Sequence, residues 1–337
     1  MIKELPHATE TGALQIMHLK RYWSKSIAKR AGKLPQEALN EEWPVDVNLL
    51  STLGLGLEQT IRYIYNTNPS FSEFEEWILD VNQGMVSESL IKEFNDRISG
   101  KTETPDDLIE QVLSPEDINF WNENGYVILK GAVSREDCDK TVALICAYLG
   151  VERNNADTWY GNHKDRQGIM VQLFQHEQLQ KNRTTPLIRK AYEQLWDRKD
   201  LLVNTDRVGF NPPETETYKF PGPKLHWDVS LKQPIPFGTQ GILYLADIAA
   251  NQGAFTVVPG FHNKVGAWME RLPPGANPRS QDLYALGHQP IAGNAGDFII
   301  FHHALLHGAS PNTSELPRFV QYVNYQPIDP EIKEEWI

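Results

Sequence analysis

The sequence predicts a mainly β protein with helices, built as a double-sheet jelly roll behind a helical N-terminal extension. Two observations carry that prediction. From Leu201 onward, short β-type runs (Leu201–Val208, Gly241–Leu245, Ala254–Val258, Gly296–His302 and Arg318–Tyr325) are separated by Pro- and Gly-containing turns, the pattern of an all-β sandwich or barrel. Up to about residue 105 the apolar residues recur at helical spacing instead, with no strand-like alternation.

Within the extension, Leu19–Ala31 is basic and amphipathic, and Leu57–Val81 sets Ile61, Ile64, Tyr65, Phe71, Phe74, Trp77 and Ile78 at helix-like intervals. The polar, Pro-containing stretch Ser99–Asp107 is the expected linker. It divides a helical extension, 1–105, from a jelly-roll domain, 106–337. The second domain opens with a clear signal, because Ser114, Pro115 and Asp117 supply an N-cap, a first-turn proline and a carboxylate that can cap in return. A helix should therefore run from Pro115 to near Gly125, followed by a β-run at Tyr126–Leu129. Ser134 and Asp137 repeat the capping signal for a helix reaching Leu149, and another helix is expected over Pro186–Trp196. A two-sheet jelly roll manages its strand edges and leaves a mouth between the sheets for a ligand.

Composition narrows the function. The 337 residues are 40% hydrophobic and 23% charged, and no run approaches the roughly 18 apolar residues of a membrane span. The opening MIKELPHATETGALQ has neither a signal core nor transit-peptide character. A cytoplasmic protein that does not insert in membranes is expected. The net charge of −12, with no basic stripe, argues against a nucleic-acid partner. The two cysteines, Cys138 and Cys146, fall on one expected helix and should be free, buried thiols.

The chemistry is concentrated in three residues. His226 and Asp228 flank Trp227 in a stretch that reads as extended, so a period of two points both side chains to one face and Trp227 away from it. His307 follows the Gly296–Leu306 stretch. Two imidazoles and one carboxylate are the facial triad of non-haem Fe(II) oxygenases, which leaves three octahedral positions open for a chelating keto acid and dioxygen. Arg318 lies eleven residues beyond His307, at the start of a β-run. There its guanidinium could pair bidentately with the distal carboxylate of 2-oxoglutarate. Gln240, just before a strand, is a further candidate for hydrogen bonding to the keto acid. His302 and His303 are expected to be structural or to hydrogen-bond near the site, and His262 to be structural and exposed in its turn. His163 and His176 are candidates for the substrate region.

The stretches LSPEDINFWNENGYVILKGAVSREDCDK, LHWDVSL, NQGAFTVVPGFH and GDFIIFHHALLHGASPN, with Arg318 after them, resemble the phytanoyl-CoA dioxygenase family in order, across most of residues 113–328. The resemblance implies a double-stranded β-helix, cupin-like core and iron at His226, Asp228 and His307. It also implies 2-oxoglutarate anchored by Arg318, and dioxygen-driven oxidation of an unactivated C–H bond with release of succinate and CO2. Two departures stand out. Phe261 occupies a turn position where the family usually has Ser. The position two after the distal histidine, often a Ser near the co-substrate, is Ala309, which leaves Ser310, one further on, as the candidate co-substrate contact. The resemblance also suggests substrate contacts in WYGNHKDRQGIMVQLFQHE, which holds Trp159, Tyr160, Arg166 and Gln172. A carboxylate at position 228 favours hydroxylation over halogenation, since halogenating relatives have a small residue there. The expected substrate is a small or carrier-bound metabolite. The alternatives are a zinc hydrolase or isomerase on a cupin-like barrel, against which Arg318 speaks, and a silent small-acid-binding scaffold, against which the intact ligand set speaks.

Overall fold

The computed structural model describes residues 5–34, 42–84, 86–101, 108–331, 333 and 335–337. It separates into two units. One holds the described residues up to Leu108 together with Arg198–Thr205 and Tyr325–Pro330, and the other holds Ile109–Asp197, Asp206–Asn324 and Glu331–Ile337. The boundary expected near residue 105 lies outside the described residues.

Among the described residues of the first unit the helices are Leu19–Arg30, Trp43–Thr52, Leu57–Thr67, Phe71–Val81 and Glu88–Ile98. The helical spacing over Leu57–Val81 is carried by two helices, because Pro69 has no N–H with which to continue the ladder. Asn68 turns left-handed and Ser70 caps the next helix, its hydroxyl accepting from Glu73 N while the Glu73 carboxylate accepts from Ser70 N. Ser70→Ala should cost about 1 kcal/mol, measurable as an earlier thermal transition. Leu19, Leu49, Ile64, Phe74, Ile78 and Phe94 are fully buried together.

Two expected strands proved to be composites. Leu201–Val208 divides into β4 (Leu202–Val203) and β5 (Val208–Asn211), and Arg318–Tyr325 into β11 (Arg318–Tyr322) and β12 (Tyr325–Gln326). β4 and β12 pair with each other inside the first unit. The polar residues Asn204–Asp206 interrupt one run, where the Asp206 carboxylate accepts from Arg207 N. In the other, Val323 N still donates to the Gly241 carbonyl in register with β6, and the chain leaves that partner only beyond Val323 to pair with β4.

The second unit contains two antiparallel sheets. Its remaining strands are β1 (Tyr126–Leu129), β2 (Arg166–Gln167), β3 (Met170–Val171), β6 (Thr239–Tyr244), β7 (Phe255–Val257), β8 (Gln289–Ile291), β9 (Phe298–His302) and β10 (His307–Ala309). The larger sheet has the order β1-β9-β6-β11-β5-β3-β2, and the smaller β10-β7-β8. The sequence had shown no sign of β2, β3, β8 or β10, which are too short to display alternation. Tyr126, Ile242, Tyr244, Ile299, Phe301 and Val320 of the large sheet share one buried cluster with Phe255, Val257 and Ile291 of the small sheet, so the sheets face each other across a core. The other face of the large sheet is covered by helices. Gln321 Nε2 donates to the Leu179 carbonyl and Tyr192 Oη to the Val323 carbonyl, from helices Glu177–Arg183 and Pro186–Trp196. The helices Pro115–Asn124 and Arg135–Leu149 begin at their expected caps, and both cysteines are buried and free.

Candidate metal centre and its surroundings

His226 and His307, distant in sequence, are joined by one antiparallel bridge in which each backbone N–H donates to the other's carbonyl, at 2.8 and 3.2 Å. Directly opposed residues of such a pair project to the same side. Each ring is then fixed by a local bond, His226 Nδ1 to the Lys224 carbonyl at 2.7 Å and His307 Nδ1 to the Leu305 carbonyl at 2.9 Å. Both bonds set the tautomer and leave Nε2 as the donor atom facing the site. Asp228 lies outside any strand, so the extended reading of this stretch holds only at His226. Its carboxylate nevertheless meets both rings, with Oδ1 at 3.2 Å from His226 Nε2 and Oδ2 at 3.4 Å from His307 Nε2.

These spacings suit a metal. Bonds of about 2.1 Å at right angles separate adjacent ligand atoms by about 3.0 Å, and here the three ligand atoms all lie within 4.8 Å of one another. Partial desolvation disfavours the Asp228 charge, but the hydrogen bonds and charges of His226 and His307 overcome it and hold the carboxyl far below the ordinary carboxylate range. At His226 desolvation works against the proton, and Asp228 more than restores it, so the pKa is raised. A metal must displace that proton. Binding should therefore strengthen as pH rises through a pKa above about 6.5, with proton uptake by the buffer on metal addition near that pH. Calorimetry in two buffers of different ionisation enthalpy would measure it, and a pH-independent affinity would contradict it.

The walls are specific. Phe301 packs on the His307 ring with centroids 4.6 Å apart, and Phe255 lies at 6.1 Å. Gln240 Nε2 donates to Asp228 Oδ2 at 2.8 Å, so the glutamine expected at the keto acid is placed on the Asp228 carboxylate. Gly308 is indispensable for backbone approach, since a Cβ there would lie 2.6 Å from the Lys224 carbonyl oxygen, the atom that anchors His226. Gly308→Ala is expected to weaken Fe(II) binding about 10–100-fold, and an anaerobic titration showing unchanged affinity would reject this.

Arg318 is 1% exposed, and its Nε and Nη1 have no hydrogen-bond partner. Each such orphan costs about 1–3 kcal/mol, more for a charged group, which makes an anionic ligand the natural completion of the site. Registers place Val320 opposite Tyr244 and Tyr322 opposite Ile242. Alternation then sets Arg318 and Gln240 on the same inner face of the large sheet. Ser310 Oγ donates instead to the Ala254 carbonyl at 3.2 Å.

A family model for phytanoyl-CoA dioxygenase matches residues 121–320. The chain belongs to the phytanoyl-CoA dioxygenase family. Iron and 2-oxoglutarate are the cofactors of these dioxygenases, and the His-Asp-His donor set with the two unpartnered Arg318 donors fits both. A Dictyostelium discoideum protein provisionally named as a phytanoyl-CoA dioxygenase is 23% identical over 259 residues, 62% of this chain and 74% of its own. Similar solved structures include the α-ketoglutarate-dependent carbocyclase SnoK from nogalamycin biosynthesis (TM-score 0.47, 21% identity, 66% of this chain and 87% of that one). EctD from S. alaskensis is another (TM-score 0.47, 15% identity, 69% and 86%). EvdO2 from Micromonospora carbonacea var. aurantiaca, complexed with 2-oxoglutarate, is a third (TM-score 0.46, 15% identity, 68% and 96%).

The other sequence candidates of this dioxygenase-family chain stand outside the triad. His262 was expected to be exposed but is half-buried, with its ring 5.3 Å from His302. Burial, with the charges of His262 and His303, lowers His302 to about 3, and burial takes His303 to about 4, so both are neutral. His176 caps the helix Glu177–Arg183, and His163 Nδ1 accepts from Asp165 N. Trp227 faces away from the triad, as expected, donating to the Ala304 carbonyl. Trp159 is buried, Arg166 is spent on the Trp159 and Gly168 carbonyls and Tyr218 Oη, and Tyr160 Oη donates to the Pro213 carbonyl. Gln172 is buried with both amide atoms unpartnered. In the first unit His18, Glu42 and Asp46 also converge. There the Lys25 ammonium, 2.9 and 2.7 Å from the two carboxylates, already supplies the cation. No helix among the described residues is long and apolar enough to cross a membrane.

Proposed function

We propose that the protein is an Fe(II)- and 2-oxoglutarate-dependent dioxygenase that hydroxylates an unactivated C–H bond of a small or carrier-bound metabolite. In this reading residues 1–105 form a helical extension to a double-stranded β-helix oxygenase domain, 106–337. His226, Asp228 and His307 are the iron ligands and Arg318 is the co-substrate anchor. The observation that carries it is the pairing of a facial donor set with a buried guanidinium that has two unpartnered donors on the same sheet face. Bound together, iron and 2-oxoglutarate supply oxidising power, one atom of O2 going to the substrate as hydroxyl and the other to succinate as CO2 leaves.

The chain's own residues would prepare this. The carbonyls of Lys224 and Leu305 hold both imidazoles with Nε2 inward. Asp228 remains ionised, and Gln240 restrains one of its oxygens. Phe255 and Phe301 keep water from one side of His307. Arg318 binds the distal carboxylate and so sets the direction from which the keto acid reaches the metal. The test is an anaerobic titration with Fe(II) and 2-oxoglutarate, followed by oxygen and a succinate assay. A visible charge-transfer band and slow uncoupled succinate formation are expected. No band with iron loaded, together with a preference for zinc, would instead favour a hydrolase.

A further inference from the structure

His226 and His307 are fixed by their shared bridge, whereas Asp228 sits in bends with no strand partner. Its backbone is held from another direction. Arg279 Nη1 donates to the Trp227 carbonyl at 2.7 Å and Nη2 to the Val229 carbonyl at 2.6 Å, one on each side of Asp228. The same guanidinium donates to the Ile337 carbonyl through Nε at 3.2 Å and Nη2 at 2.9 Å. The Trp336 ring lies against it, 5.0 Å from centroid to guanidinium carbon.

The segment Glu335–Ile337 is stitched to the residues just beyond Asp228 as well. Leu231 N donates to the Ile337 carbonyl at 3.3 Å, Ile337 N to Ser230 Oγ at 3.2 Å, and Ser230 Oγ to the Glu335 carbonyl at 2.6 Å. Only a planar fork with several donors can hold three carbonyls in one geometry, and a lysine ammonium cannot reproduce it.

We propose that Arg279 and the segment Glu335–Ile337 form a positioning clasp for Asp228. The clasp sets the two carbonyls that flank the ligand, so that the carboxylate is presented to His226 and His307 before a metal arrives. Arg279 is thus a positioning residue, acting through backbone. The proposal rests on the triad being the metal site.

The test uses anaerobic Co(II) titration of the full chain, with visible d–d absorption reporting ligand number and geometry. Wild type, Asp228→Ala, Arg279→Lys and a chain lacking Glu335–Ile337 are compared, and apo folding is checked by circular dichroism. Both clasp variants are expected to bind Co(II) about 10–100-fold more weakly than wild type. Their spectra should shift toward that of Asp228→Ala while the apo proteins still melt cooperatively. A folded Arg279→Lys protein with wild-type affinity and spectrum overturns the clasp, and that variant decides alone if the shortened chain does not fold. Wild type and Asp228→Ala binding alike would show instead that the triad reading fails, and the clasp with it.

Discussion

Replacing Asp228 by alanine is expected to abolish turnover and to weaken Fe(II) binding by more than about a hundredfold, since loss of a mere outer partner of a ligand already costs 10–100-fold. The two imidazoles would remain, anchored by the Lys224 and Leu305 carbonyls, but without the anion that balances the metal's charge. The fold should survive, because the Asp228 side chain is half-exposed and packs no core. Metal titration, succinate assay and a thermal melt of the apo protein check the three parts separately. Retained succinate formation would mean that Asp228 is not a ligand.

Arg318→Leu is expected to act with opposite signs on two observables. Loss of a buried, charge-assisted carboxylate partner costs about 3 kcal/mol or more, so the 2-oxoglutarate requirement should rise on the order of a hundredfold. Apo stability, in contrast, should be unchanged or improved. Arg318 is buried with two donors unpartnered, and exchanging such a charge for an apolar side chain is often neutral or stabilising. Titration of the charge-transfer band gives the first number and a thermal melt the second. An unchanged 2-oxoglutarate requirement would remove Arg318 from the co-substrate site, and a large drop in apo melting temperature would mean that its role is structural.

Much of the fold was legible where local chemistry is decisive. The helix starts at Pro115 and Arg135 are written in Ser114 with Asp117 and in Ser134 with Asp137, because a cap is a contact within three residues. The interior apolar runs of β6, β7 and β9 were visible for the same reason. The short strands β2, β3, β8 and β10 were not: two residues each in the β2–β3 hairpin cannot display a period, and β8 and β10 are defined by pairing with β7, distant in the chain. The division of Leu201–Val208 depended likewise on β4 finding β12, more than a hundred residues away, within the first unit.

For the site, the sequence by itself determined the donor types. His226, Asp228, His307 and Arg318 were picked out because two imidazoles and a carboxylate are the donors of a facial iron site and a guanidinium suits a distal carboxylate, while their order along the chain resembles the family's. Tertiary structure decided how they are held. The His226–His307 bridge, the room that Gly308 leaves for the Lys224 carbonyl, the pairing of Gln240 with Asp228 and the Arg279 clasp all join residues distant in the chain or use backbone atoms that every residue possesses. A side chain's chemistry is local and can be read from its letter, whereas its orientation is set by whatever the fold brings against it.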